Sequence, residues 1–401
     1  MTALLGSTRV IDLGGEALSY GGRALADLGA DVILIEPPGG GANRSATPSF
    51  QLQSGRSLSA RFAYTSAGKR AVTLDLSREQ GRDIFWRLLA TADVLLSTSP
   101  AGEISLLEVT VREICDRFPT LILASVTPFG VEGTRRHWRG SDLTGWATSG
   151  VLSLMGDPDR APLVPRDHLA YIAASMNAVM GVVMALEGRH ANSRGQLVDV
   201  SVQEALLGME MGEGPASTWD SLSASTTSVS RKRTSSVGQY RVRNGSVMIV
   251  TSTPWHWDLL VAWISEEIEN SDILNERYRG SPQNRAPYKV QLDAIIEAFT
   301  MRYDKQAFME EAQRRGIPAT ALNSAPDILT DPHLEATGGW TTVSGPESLQ
   351  VRLPRPALIV NDVALETGRI PEVGQHNGEI LAEELGLGWD GLEVLRITGV
   401  V

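Results

Sequence analysis

Apolar residues cluster in short runs through the first third of the chain, at 9–13, 32–36, 94–97 and 121–126. Between these runs, over 20–29, 78–90 and 109–118, the spacing of apolar positions lengthens to that of a helix. In the second helical stretch Ile84, Phe85, Leu88 and Leu89 fall at i, i+1, i+4 and i+5, which makes one apolar stripe. Short apolar strands alternating with amphipathic helices predict a parallel sheet covered on both faces, a doubly wound Rossmann-like α/β domain. Gly14-Gly15 and Gly21-Gly22 follow the first run without forming GxGxxG, so the dinucleotide fingerprint is missing.

Three later stretches change character. Residues 170–186 are almost entirely apolar, near the lower limit for crossing a bilayer. They also contain Ser175, Asn177 and the small residues Ala173, Ala174, Ala178 and Gly181, which predicts a helix buried at the heart of the fold. Segment 215–236 is crowded with serine and threonine and carries Arg231-Lys232-Arg233. Such a composition cannot bury a core and reads as a linker or long surface loop with a solvated basic run. Beyond it, 239–242 and 247–251 flank Arg243-Asn244-Gly245-Ser246, a hairpin with an Asn-Gly turn. Helices predicted at 257–268, 289–300 and 305–315 complete a smaller α+β domain, with Trp255-His256-Trp257 packing at the first helix start. A chain of 401 residues exceeds what one core usually supports, in keeping with two domains.

Composition adds exclusions. With 42% hydrophobic and 21% charged residues the chain is an ordinary soluble globular protein, and its net charge of −11 disfavours nucleic acid or an anionic membrane as partner. The one cysteine, Cys115, lies in an amphipathic run and reads as core filler. The start Met1-Thr2-Ala3-Leu4-Leu5-Gly6 has no signal-peptide pattern, and with no disulfide framework a cytoplasmic enzyme is expected. No cluster of His, Cys and carboxylate residues has metal-ligand spacing, so no metal is expected. Asp12, Glu36 and Asp199 are expected to be polar links at strand ends, and Lys69-Arg70 a solvated pair before a strand.

Several segments then fall in a telling order. They are Gly68-Lys69-Arg70-Ala71-Val72-Thr73-Leu74-Asp75-Leu76, Ser141-Asp142-Leu143 with Ser149-Gly150, Tyr171-Ile172-Ala173-Ala174-Ser175, Gly195-Gln196-Leu197-Val198-Asp199, Gly316-Ile317-Pro318-Ala319 with Asp331-Pro332, and Gly374-Gln375-His376. Each is weak alone, but the ordered set resembles the CaiB/BaiF family, the family III CoA-transferases and their racemase relatives, almost end to end. The resemblance implies a large domain beginning at 1–214, the 215–236 linker, a small domain at 237–325, a return of 326–401 to the large domain, and interlocked subunits. It also implies that Arg70, Leu74, Asp75 and Leu76 lie where the family holds the adenine end of CoA.

The same resemblance exposes a departure. In the family an aspartate opens the helix that begins here at Tyr171, and its carboxylate attacks the acyl-CoA to give a mixed anhydride and then an enzyme-bound thioester. A phenol has a pKa near 10, and even ionised it would give an aryl ester. Asp167 lies four residues upstream, but moving it into place requires an insertion within the helix, so it is expected to be an exposed or capping carboxylate. Ala17 stands where the family often has a polar group, and Ser97-Thr98-Ser99-Pro100-Ala101-Gly102 replaces the loop near the CoA thiol. Ser141 replaces the histidine of the racemase branch, which removes an acid or base that racemisation needs. The implied function is a non-catalytic subunit of a CoA-transferase that moves CoA between an acyl-CoA, such as succinyl-CoA, and a carboxylic acid. Its partner would be a homologous chain bearing the aspartate, and CoA thioester would be a substrate, with no covalently bound cofactor. Two alternatives stay open: an active transferase using Asp167, and an inactive CoA-binding paralogue.

Overall fold

The computed structural model describes residues 4–156, 160–209, 237–251, 253–269 and 271–401. The expectations for the serine-rich segment 215–236 and for Arg231-Lys232-Arg233 lie outside these residues. The described residues form two compact units, one made of 4–156, 161–209 and 336–401, the other of 160 and the described part of 237–335.

Six parallel strands make the sheet of the first unit: β1 (Arg9–Asp12), β2 (Asp31–Glu36), β3 (Arg70–Thr73), β4 (Val94–Ser97), β5 (Ile122–Thr127) and β6 (Leu197–Ser201). They lie in the order β3-β2-β1-β4-β5-β6, which is the doubly wound order, with its topological switch between β1 and β4. The helices are α1 (Ser19–Asp27), α2 (Ala60–Ser66), α3 (Glu79–Leu89), α4 (Val111–Arg117), α5 (Asp142–Thr148), α6 (Leu169–Asn192) and α7 (Val202–Met209).

The strands have no polar face because helices cover both sides. Val10, Val32, Val94, Leu96, Ile122, Ala124 and Val126 point into a core shared with α1, α6 and α7. Their neighbours Ile11, Ile33, Leu95 and Leu123 point the other way, against the Ile84–Phe85–Leu88–Leu89 stripe of α3, Ile114 of α4 and residues near the carboxyl terminus. Cys115 packs at the margin of that second core, and burial raises its thiol pKa.

The long apolar helix is α6, two turns longer in total than its apolar run. Half of its most apolar stretch is buried. Ala170, Ala174, Ala178, Val182 and Ala185 form the buried face, and the small alanines let the helix lie close against the sheet and α1. Met176, Met180 and Met184 are exposed. The expectation of burial at the heart of the fold therefore holds for one face only.

The second unit pairs β7 (Val237–Val242), β8 (Gly245–Val250) and β9 (Ala319–Ala321) with helices α8 (Pro254–Glu267), α9 (Lys289–Thr300) and α10 (Lys305–Arg314). Trp257, Trp263, Phe299 and Phe308 fill its core. The hairpin turn differs from the Asn-Gly expectation. Val242 pairs with Gly245, so Arg243 and Asn244 form the turn and Gly245, at φ +153°, opens the return strand. The Asn244 side chain instead accepts the Lys305 N–H at 2.8 Å and caps α10. Of Trp255-His256-Trp257 only Trp257 is fully buried, with Trp255 exposed.

In the first unit the returning chain adds a two-stranded ribbon, β10 (Trp340–Ser344) with β11 (Gln350–Pro354), a π-helical turn at Gly378–Glu384 and α11 (Gly388–Ile397).

Candidate functional site

The carboxyl ends of β1 and β4 diverge at the switch point, where open α/β sheets bind ligands. At the end of β1 the Asp12 carboxylate accepts the Gly14 N–H at 2.8 Å and the Lys69 ammonium at 2.8 Å. Lys69 also donates to the Ser19 carbonyl at 2.8 Å, and the two paired side chains are 1% and 0% exposed. Lys69 is therefore no solvated surface charge. Its desolvation is offset by a paired carboxylate and a carbonyl in a low-dielectric interior. Together they fix the turn at Gly14-Gly15. Gly15 sits at φ +102°, and a Cβ there would stand 2.0 Å from Thr98 Oγ1, so only glycine lets the β1 and β4 loops close on each other.

The 14–18 loop leads to the head of α6. Ser175 Oγ donates to the Ala17 carbonyl at 2.9 Å and fixes the helix against the loop. Asp142, the first residue of α5, accepts the backbone N–H groups of Ala170 at 2.9 Å and Tyr171 at 3.3 Å. Asp142 thus supplies the anion that the helix N-terminus favours. Of the two roles expected of Asp167, exposed or capping, the structure shows the exposed one, and Asp142 does the capping. Asp167 and His168 both adopt left-handed backbone, at φ +65° and +59°, and Asp167 has no hydrogen-bond or ion-pair partner among the described residues.

A hollow of about 260 Å³ opens at this point, with Asp167, His168 and Tyr171 on one side and Glu16, Tyr20, Arg61 and Tyr64 on the other. Pro48, Leu169 and Ile172 add apolar wall. Glu16 is the polar centre, 3.5 Å from the Arg61 guanidinium and 3.7 Å from His168 Nδ1. Tyr20 stacks on Tyr64 at 5.6 Å, and the buried Arg23 guanidinium lies 4.3 Å over the Tyr64 ring. Burial, aided by Tyr20, pushes the Tyr64 phenol up to about 12. The half-buried Tyr171 phenol is also raised, by burial first and then by the charges of Glu16 and Asp142. A neutral phenol therefore occupies the helix head. The sequence pattern had not singled out Glu16, Tyr20, Arg61 or Tyr64. Glu16 adjoins Ala17, the position where the family often has a polar group.

Arg70, Leu74, Asp75 and Leu76 do not line this hollow. Arg70 pairs with Asp31 at 3.0 Å and with Glu379 and Glu384 of the π-helical turn. Leu74 and Leu76 are buried in the core. Asp75 accepts from the Ser77 hydroxyl and backbone and from Arg78, and the Ser77 hydrogen bonds lower its pKa. Glu36, at the end of β2, accepts from Nε and Nη2 of Arg44, whereas Asp199 accepts the Val131 N–H at 3.1 Å from the middle of β6 and not from its end. Among the described residues no group of three His, Cys, Asp or Glu side chains is placed to hold a metal ion.

Residues 5–377 match the model of CoA-transferase family III. The subunit BbsE of succinyl-CoA:(R)-benzylsuccinate CoA-transferase from Thauera aromatica is 30% identical over 387 residues, covering 94% of this chain and 93% of that one. Succinyl-CoA–D-citramalate CoA-transferase from Chloroflexus aurantiacus is 26% identical, covering 99% and 98%. The crystal structure of a CaiB/BaiF family protein from Brucella suis superposes with a TM-score of 0.80 at 25% identity, covering 95% of this chain and 99% of that one.

Proposed function

The chain belongs to CoA-transferase family III, and from that premise we propose that it is the non-catalytic subunit of a heteromeric CoA-transferase. The observation that carries this reading is Tyr171 at the head of α6, where the family's acyl-accepting carboxylate is expected. An acyl anhydride needs a carboxylate, and the raised pKa of this phenol takes it further from any nucleophilic role. The partner is a homologous chain that bears the aspartate, in the interlocked arrangement the family implies, and the relative from Thauera aromatica, itself named as a subunit, supports that reading. The acids exchanged are of the succinate class that the relatives' names contain.

CoA binding by this chain is part of the proposal, with the adenine end lying against Arg70, Asp75 and the backbone of Leu74 and Leu76, whose side chains are turned into the core. Arg70 takes part by exchanging its contact with the exposed Glu379 for a phosphate or adenine group. The cytoplasm is the expected setting, with neither nucleic acid nor membrane as partner.

The test is transfer of CoA from succinyl-CoA to a panel of carboxylic acids. The isolated chain is expected to show none, and borohydride or hydroxylamine trapping is expected to label none of its residues. Co-expression with an Asp-bearing homologue is expected to give a co-purifying, active complex. A second reading has one observation in its favour: Asp167 lines the hollow without a partner. Labelling of Asp167 in the isolated chain would make this protein a catalyst in its own right.

A further inference from the structure

We infer that the hollow at the head of α6 is a binding site for a carboxylic acid that carries an aromatic ring, held without being turned over by this chain. The inference rests on the functional reading only in placing the substrate end of the site at the head of α6.

The hollow is a cleft with mostly apolar walls and few polar groups that converge, the composition of a small-molecule site. Its walls offer flat surface, from the stacked Tyr20 and Tyr64 and from Tyr171, with Ile172 and Leu169 beside them. A volume of about 260 Å³ admits a phenyl ring and a short acid chain. The stacked pair is rigid: Tyr64 is clamped from beneath by Arg23, whose guanidinium also donates to the Tyr64 carbonyl at 2.8 Å. A ring entering beside it therefore meets a surface already ordered, which lowers the cost of binding.

The polar end is incomplete. Arg61 has five N–H donors, and among the described residues the one side-chain contact it makes is with Glu16, at the 3.5 Å limit of a hydrogen bond. His168 Nδ1 is buried and lacks a hydrogen-bond partner, with Glu16 just beyond reach at 3.7 Å. Arg61 and His168 thus converge on one carboxylate, which takes a single long hydrogen bond from Arg61 and none from His168. Glu16 is 43% exposed and free to turn toward water. A ligand carboxylate that displaces it takes the Arg61 fork in the bidentate geometry that guanidinium favours. Glu16 and Asp167 weaken such binding by repulsion, which selects a ligand whose ring supplies much of the affinity. Small aliphatic acids lack that contribution.

The experiment is calorimetric titration of the full-length chain, in whatever assembly it is isolated, with 3-phenylpropionate, propionate and succinate. 3-Phenylpropionate is expected to bind about tenfold more tightly than either aliphatic acid, the factor that ring burial and aromatic contact supply. Arg61→Met is expected to weaken it about tenfold, as loss of a charge-assisted pair does. Glu16→Gln is expected to tighten it, and Tyr20→Ser to erase the preference for the aryl acid. Should Arg61→Met fail to fold, Arg61→Lys, which keeps the charge without the fork, is expected to weaken binding less but measurably. Equal binding of the three acids, or an affinity indifferent to both Arg61 variants, overturns the inference. Binding as described with no transfer by the complex removes the functional reading and leaves this one standing. An active complex in which Arg61→Met leaves aryl-acid binding intact does the reverse.

Discussion

At its outer edge the sheet is closed by the returning chain, and there Arg9, Arg70, Asp31 and Glu384 pair with one another, although Arg70 Nε is buried without a hydrogen-bond partner. His376 and Asn377 act as a substitute strand against β3. His376 N–H donates to the Ala71 carbonyl and His376 Nδ1 accepts the Ala71 N–H, both at 3.0 Å. Asn377 exchanges two hydrogen bonds with Thr73, at 2.9 and 2.7 Å. Arg70 and Arg9 share Asp31 and Glu384. At the head of α6 the same kinds of residues are left loose, with Arg61 and His168 competing for Glu16, and Asp167 held in left-handed backbone with nothing to bind. The sheet edge uses its polar groups to hold the chain to itself, whereas the helix head leaves them for something else. Saturation therefore separates scaffold from site more reliably than residue type does, since both regions are rich in Arg, His and carboxylate.

The contrast is most sharply tested just before β3. Lys69→Met removes the ammonium and leaves the fully buried Asp12 charge with only the Gly14 N–H. Breaking a buried pair in this way is expected to cost about 3–5 kcal/mol in urea unfolding. Arg61→Ala, which removes a loose and partly exposed partner, is expected to change stability by less than about 1 kcal/mol. Equal losses from the two would erase the distinction. Asn377→Ala comes next, at about 1–3 kcal/mol, because it strands the buried Thr73 N–H.

The His376 effect is smaller and depends on pH. Burial first, and then the positive charge of Arg70, lowers its pKa below the ordinary value, and accepting the Ala71 N–H requires Nδ1 to be unprotonated. In the unfolded chain the imidazole titrates near about 6.5. Below that pH the unfolded state binds a proton that the native state refuses, so this residue makes stability fall as pH falls, until the native pKa is reached. Its contribution is fully present above the unfolded value. Unfolding titrations from pH 8 to pH 5 are expected to show a steeper decline for the natural chain than for His376→Gln. An unchanged slope would mean that the imidazole carries none of the pH dependence.

The parts of this fold that were legible in the sequence are those where one residue type has one physical option. The α3 stripe must be buried, and an apolar run such as 94–97 must lie inside a sheet. Pairing between distant residues was not legible. Lys69 looks like a surface charge in a linear sequence, because the Asp12 that buries it stands 57 residues away. The hairpin turn was misplaced by one residue because the Asn244 side chain answers to α10, which no local turn pattern encodes. At the head of α6, Tyr171 was conspicuous as a departure from the family motif. Glu16, Arg61, Tyr20 and Tyr64 were invisible, since their chemistry arises from convergence of three segments and none sits in a motif of its own.

The smallest expected effect belongs to Tyr171→Asp, which asks whether the loose region is a silenced site needing only its carboxylate. We expect no covalent CoA adduct on the introduced residue after incubation with succinyl-CoA, read by intact mass. The helix N-terminus that would stabilise the new carboxylate is already engaged, since Asp142 takes the N–H groups of residues 170 and 171. Asp142 and Glu16 already bring two negative charges to this position, so a third favours its protonated, non-nucleophilic form. Losing the ring also leaves space beside Ile172 and Leu169, so the carboxylate is less firmly positioned, and misplacement by about 1 Å costs about a hundredfold in rate. Glu16→Gln in the same background relieves one of the two charges and is the more permissive test. An adduct in the double variant alone would show that electrostatics silences the pocket. An adduct in the single variant would show that the surrounding groups were competent all along, and that only the nucleophile separates this helix head from an active one.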